Sequence, residues 1–350
     1  MKNGKIMLIG IAIYCLLSVV DRFIWKMPDF IYIPIILVGI ACIMIGFIKT
    51  RTSKINKILR EDRKISYNIK QSSYIEWLFY YITNKVVKMD FEIFLNAHKK
   101  YGTTKEDIIA RNSYDLITEN VVIAPWWKAN MFENKKEITV TKLTDKLYNI
   151  KNNKTEFTFI ELRRMGAPMM MEECLSLGVS KCKNLIFIGS AGSINEDIGI
   201  GDLVIPTYSI CGDGACRYLN DNLEDEFGKK QYPTPQLTEK LINLTKEECK
   251  RENVNFHNVP NFSLDTMFAQ FPYIDNIKNM KCQTLEMETA VLFKCAKITK
   301  INTTALFCVS DNTVANKSLF SGRSDEENAY RYNVRYNVMP KILFRLIEDL

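Results

Sequence analysis

Asn184-Leu185-Ile186-Phe187-Ile188-Gly189-Ser190-Ala191-Gly192-Ser193-Ile194 is the stretch whose reading decides the fold. An apolar run of strand length feeds directly into Gly-Ser-Ala-Gly, where small side chains let the backbone turn sharply and present its N–H groups to an anion or a sugar hydroxyl. The expectation is a ligand-cradling turn at a strand end. A plain tight turn would carry the same four residues, so the choice rests on what accompanies them. A second apolar run, Leu203-Val204-Ile205-Pro206, follows Gly199-Ile200-Gly201-Asp202.

Two later segments keep the first company. Leu285-Glu286-Met287-Glu288-Thr289-Ala290-Val291-Leu292-Phe293 precedes Ala305-Leu306-Phe307-Cys308-Val309-Ser310-Asp311-Asn312. In this order and spacing the three resemble the nucleoside phosphorylase and nucleosidase superfamily, which holds purine nucleoside phosphorylase, uridine phosphorylase and methylthioadenosine nucleosidase. The resemblance covers about Glu119 to Leu350. It implies a three-layer α/β domain with a mixed, twisted central sheet flanked by helices.

The pattern along that region agrees. Short apolar strands at Val121–Ala124, Phe157–Leu162, Leu185–Gly189, Leu203–Pro206 and Thr304–Val309 alternate with amphipathic helices. The helices are expected at Pro168–Leu177, Thr238–Arg251, Met287–Lys297 and Glu326–Glu348, the last interrupted near Pro340. Upstream, Ser66 to Glu119 repeats aromatic and aliphatic residues at three- and four-residue steps and reads as a helical connector.

At the amino-terminal end, Ile6–Val20 and Phe30–Ile48 are nearly continuous apolar runs without charge. The second has nineteen residues, enough at helical rise to cross a hydrocarbon layer of ~30 Å. The first is shorter, but Ser18-Val19-Val20-Asp21 offers no small-x-small cleavage site, so a retained span is preferred over a signal-peptide core. Lys49, Arg51, Lys54, Lys57, Arg60, Arg63 and Lys64 then follow. By the positive-inside rule both ends of the hairpin face the cytoplasm, and this basic run can also touch anionic headgroups. The expected organisation is a transmembrane hairpin at 1–50, a basic juxtamembrane and helical connector at 51–118, and the enzyme-like domain at 119–350 on the cytosolic side of the cell membrane.

Composition narrows the chemistry. With 350 residues, 47% hydrophobic and 25% charged, the chain can bury a sizeable core. The formal net charge of +7 owes much to the juxtamembrane run, and no basic stripe with interleaved aromatics suggests nucleic acid as a partner. Ten cysteines show no Cys-x-x-Cys pair, and only His98 and His257 are present, so neither a zinc site nor a disulfide framework is indicated. No Gly-x-Ser-x-Gly elbow points to a serine hydrolase.

What the resemblance implies about residues is specific. Glu288 takes the ribose hydroxyls and Met287 packs on the sugar; a carboxylate can accept from two vicinal hydroxyls and favours an oxocarbenium-like ring. Asp311 hydrogen-bonds or protonates N7 of a departing purine, and Ser190, with Ala191 and Gly192 beside it, contacts phosphate or ribose. Gly166 belongs to a turn, Met165-Gly166-Ala167-Pro168, that closes the site, and Phe268 stands where the base pocket is expected, as a stacking wall or as core filler. No metal and no organic cofactor is implied. Nucleoside and phosphate are the implied small-molecule partners, and a homo-oligomer is expected.

The phosphate end departs from the family pattern. Its usual Gly-Asp-Pro-x-Arg is replaced by Pro125-Trp126-Trp127-Lys128-Ala129-Asn130, and Phe187 stands where an arginine precedes the Gly-Ser turn. Arg163, Arg164, Lys128 and Arg323 are the substitute cations, Arg163 and Arg164 because they abut the Met165 turn. Phosphorolysis is preferred on that ground. A water-using nucleosidase and a silent nucleoside-binding sensor or storage domain stand as the alternatives.

Overall fold

A computed structural model of the chain describes residues 89–133, 135 and 137–350. The chain divides into units Met1–Lys85 and Val86–Leu350, and the described residues all belong to the second. Both apolar runs expected to span a membrane lie outside the described residues. Among the described residues no helix is long and apolar enough to cross a membrane.

Ten strands form one mixed sheet. They are β1 (Asn120–Ala124), β2 (Thr139–Lys142), β3 (Leu147–Lys151), β4 (Glu156–Glu161), β5 (Asn184–Ser193), β6 (Leu203–Cys211), β7 (Lys230–Gln231), β8 (Phe256–Ser263), β9 (Thr284–Glu286) and β10 (Asn302–Asn312). At its centre β5 runs parallel to both β1 and β10. At one end β5 pairs with β9 and β10, β10 with β6, β6 with β8 and β8 with β9, so five strands close on themselves. Closure removes two exposed edges and brings the ends of β5, β9 and β10 to one rim.

Among the described residues the helices are α1 (Phe91–Lys100), α2 (Lys105–Asn112), α3 (Ala167–Leu177), α4 (Pro235–Glu252), α5 (Ile274–Asn279), α6 (Thr289–Thr299), α7 (Asp325–Asn333) and α8 (Met339–Glu348). Strand residues alternate between two cores with the period of a pleated strand. Val121, Ile123, Leu185, Phe187, Ala305 and Phe307 face α3 and α6. Val122, Ala124, Ile186, Ile188, Leu306 and Cys308 face α4 and α8. Apolar residues on both faces make these near-continuous apolar runs, as buried parallel strands require. The three layers agree with the fold expected from the sequence.

Three local differences matter. First, Gly189 to Ser193 is not a turn: β5 continues through it, and neither glycine has a positive φ. Second, Phe91, Phe94 and Ile109 pack on the core that contains Tyr114 and Ile117, so residues 89–118, read as connector, form part of this compact unit. Third, the break in the last helix is a π-helical turn at Val334–Val338. Pro340 has no N–H to give the carbonyl four residues earlier, and that carbonyl, of Tyr336, instead accepts from Lys135 Nζ.

Candidate active site

The strand ends on the closed rim border a cavity of about 330 Å³. Ser190 and Gly192 come from β5, Ser310 and Asp311 from β10, and Glu286, Met287 and Glu288 from the junction of β9 with α6. Pro125, Trp126 and Trp127 after β1, Met165 before α3, and Leu264, Met267 and Gln270 after β8 add walls. Leu319 and Arg323 after β10 and Arg331 on α7 border the remaining side.

The Glu-Met-Glu junction divides its two carboxylates between different tasks. Glu286 is buried and saturated: one oxygen accepts from Asn261, Ser263 and Thr289 side chains, the other from the N–H groups of Glu288 at 2.7 Å and Thr289 at 2.8 Å. It thereby caps the amino terminus of α6, whose exposed N–H groups and dipole favour a carboxylate. Glu288, the next carboxylate, accepts from Gly166 N–H at 2.6 Å and Met287 N–H at 3.2 Å and keeps lone pairs for a ligand. Burial, with the charge of Glu286 beside it, pushes the Glu288 carboxyl up to about 8. Gly166 has φ 101°, a left-handed conformation that only glycine adopts without strain, and so delivers that N–H.

Asp311 depends on two backbone features. The register between β10 and β5 slips between Val309 and Asp311, a bulge of the kind that re-aims a side chain at a strand end. Opposite it stands Gly192, where a Cβ would lie 3.0 Å from Asp311 Oδ2, so the glycine gives the carboxylate room that a larger residue would crowd, and it does so without a positive φ. Asp311 is 6% exposed, and burial raises its carboxyl above the ordinary aspartate value. The Ser310 hydroxyl and the charges of Arg323 and Arg331 oppose that rise. Arg323 itself donates through Nε to the Ser310 carbonyl.

The structure corrects several site expectations. Ala191 points into the core at 1% exposure, because alternate residues of β5 face opposite sides. Phe268 is 81% exposed and does not line the cavity; its neighbours Met267 and Gln270 do. Arg163 turns into a neighbouring cleft shared with Lys128, where its guanidinium pairs with Glu161 at 3.1 Å. Arg164 is exposed and outside the lining. Of the four substitute cations only Arg323 reaches the cavity.

Arg331, which the sequence reading passed over, lines the cavity as well. Its Nη2 donates to Ser190 Oγ at 2.9 Å across 141 residues of chain. A signal existed, since Arg331 and Arg335 each stand three residues, about one helical turn, before the apolar Val334 and Val338 and so lie alongside the stripe that these bury. Among the described residues, the side chains grouped closely enough to ligate a metal are Cys211, Asp213 and Cys216. They lie outside the cavity lining, and both thiols donate to Asp213 Oδ2, at 3.3 and 3.4 Å.

Known proteins share this architecture. A family described as the phosphorylase superfamily matches residues 133–336. A DeoD-type purine nucleoside phosphorylase of Lactococcus lactis is 28% identical over 140 residues, covering 40% of this chain and 56% of that protein. One from Exiguobacterium is 26% identical over 162 residues, covering 45% and 64%. The chain thus spans less than two thirds of the length of these relatives. A solved uridine phosphorylase from Vibrio fischeri superposes with a TM-score of 0.54 at 14% identity, covering 67% of this chain and 92% of that one. A purine nucleoside phosphorylase from Toxoplasma gondii gives 0.55 at 13%, covering 68% and 94%. At such identities these two structures speak to the fold alone.

Proposed function

The chain belongs to the phosphorylase superfamily, and from that membership we propose that it cleaves the N-glycosidic bond of a nucleoside, purine nucleosides favoured, with phosphate as the attacking group. The observation that carries this reading is the convergence of Glu288, Asp311 and Ser190 on one cavity from three separate chain segments. The ionised Glu288 carboxylate accepts from the two ribose hydroxyls and favours positive charge growing on the sugar. Asp311, whose carboxyl burial raises, is suited to carry a proton and give it to N7 as the C1′–N9 bond breaks. A phosphate oxygen forms the new bond to C1′, and the products are ribose 1-phosphate and the free base. Only a purine offers N7, and the two curated relatives are named as purine nucleoside phosphorylases, which supports the purine side. No metal or organic cofactor enters this chemistry.

The nucleophile is tested by the sugar product. The detergent-solubilised full chain, given a purine nucleoside, is expected to form ribose 1-phosphate only when inorganic phosphate is present. Free ribose at an unchanged rate without phosphate would replace phosphorolysis by hydrolysis. Binding with no base release under either condition would reduce the domain to a nucleoside binder.

We also propose that the enzyme is anchored to the membrane and faces the cytosol. Support comes from the uncharged runs Ile6–Val20 and Phe30–Ile48 and from the seven basic residues between Lys49 and Lys64. A reporter active only outside the cytoplasm, fused after Leu350, is expected to stay dark. A signal from it overturns the topology.

A further inference from the structure

We propose that Arg331 is the residue that grips a phosphate-type oxyanion beside Ser190, so that the anion site is supplied by the carboxy-terminal helix and not by the arginines next to the Met165 turn. This inference rests on the reading of the cavity as a nucleoside-cleaving site.

Three observations carry it. Arg331 lines the cavity and spends one of its five N–H donors on Ser190 Oγ, at 2.9 Å. Its Nε is buried and, among the described residues, has no hydrogen-bond partner. Among the described residues it makes no ion pair, although the charge of Asp311 reaches it.

Arg331 is partly buried, and a guanidinium drawn out of water without a carboxylate is costly, a charge that proteins commonly resolve by pairing it. The contrast with Arg163 is direct, since Arg163 is half exposed and already held by Glu161. Nearby charges deepen the deficit. Arg335, in the π-helical turn, also has a buried Nε without a hydrogen-bond partner among the described residues; its guanidinium lies over Trp127, 4.5 Å from the ring centroid. Arg323 lines the same cavity. Burial lowers the affinity of both Arg331 and Arg335 for their protons, and the positive neighbours act in the same direction. A bound dianion offsets the burial and the mutual repulsion together, and a planar guanidinium offers it a fork of parallel donors. π-helical turns within α-helices occur often at functional sites, and this one adjoins Arg331 by three residues.

The oxyanion can be free inorganic phosphate or the phosphoryl group of a nucleotide, and the test separates the two. The detergent-solubilised full chain, Arg331→Gln, Arg331→Lys and Arg163→Gln are each titrated with inorganic phosphate. Cleavage is followed with a purine nucleoside plus phosphate, the nucleoside alone, and its 5′-monophosphate alone. For Arg331→Gln the half-saturating phosphate concentration is expected to rise about ten- to a hundredfold, the range of a charged hydrogen bond, while the KM for nucleoside stays close to wild type. Arg331→Lys should recover part of the loss, and Arg163→Gln should match wild type. If instead wild type prefers the monophosphate and Arg331→Gln abolishes that preference, the anion site stands and phosphorolysis falls. If Arg331→Gln, shown to be folded by thermal stabilisation with nucleoside, handles both anions as wild type does, the proposal is overturned. Should the glutamine variant fail to fold, an unchanged phosphate response in Arg331→Lys overturns it equally. A wild-type chain that binds neither anion but still releases base sinks the anion site and leaves the cleavage reading intact.

Discussion

Replacing Asp311 by alanine is expected to slow release of a purine base by about 10²–10⁴-fold, the usual worth of a positioned general acid. The physical case starts from the β10 bulge, which aims the carboxyl across Gly192 at the cavity. Burial then favours the protonated form, which is the form that can donate to a leaving base. A pyrimidine nucleoside, which has no N7, should lose far less. Asparagine can donate a hydrogen bond but no proton, so Asp311→Asn should recover only part of the purine rate. Equal losses on purine and pyrimidine substrates would remove Asp311 from the leaving-group role.

Glu288→Gln is expected to be about a hundred- to a thousandfold slower, by analogy with loss of one preorganised polar group worth roughly 2.7–4 kcal/mol. The same variant should be more stable than wild type when no ligand is bound. In the folded chain the Glu288 carboxyl sits at about 8 against an ordinary value of 4.5. A carboxyl raised by folding contributes its full stability below pH 4.5 and loses it as pH climbs toward 8. A tenfold change in proton affinity is worth about 1.4 kcal/mol, so the stability gap between Glu288→Gln and wild type should widen by a few kcal/mol between pH 4.5 and pH 8. The ionisation that weakens the fold is the one that creates the acceptor for ribose, so wild-type kcat/KM should rise with pH across the upper part of that window. Denaturant titrations at several pH values, paired with initial rates, check both. A stability gap that is flat with pH would show that Glu288 is ionised without cost.

Sequence and structure agree on placement where a residue's position is set by its own strand or junction. Glu288, Met287, Ser190 and Asp311 all line the cavity, because each sits at the carboxyl end of an apolar strand, or just past one, where parallel strands leave an open crevice. Disagreement falls where a side chain's direction or partner decides. Arg163 and Arg164 are adjacent to the right turn, yet Glu161, two residues earlier on β4, draws the Arg163 guanidinium away. Ala191 alternates into the core although its neighbours Ser190 and Gly192 do not, since the segment is extended strand and not a turn.

The sequence by itself determined the α/β class and the flanking helices, and through its resemblance it gave the family and pointed to Glu288 and Asp311, which the structure places on the cavity. Short-range periodicity and strand-end chemistry are local properties, readable without knowing which segments meet. Only the tertiary structure decided that five strands close into a ring, that Gly192 serves to make room for Asp311, and that Arg331 reaches Ser190. Ring closure depends on five segments, and the other two each on a pair far apart in the chain, 119 residues for Gly192 and Asp311 by their numbering and 141 for Arg331 and Ser190. Contacts at such separation follow from how the sheet closes and which helix covers it, and no local pattern of residues encodes that.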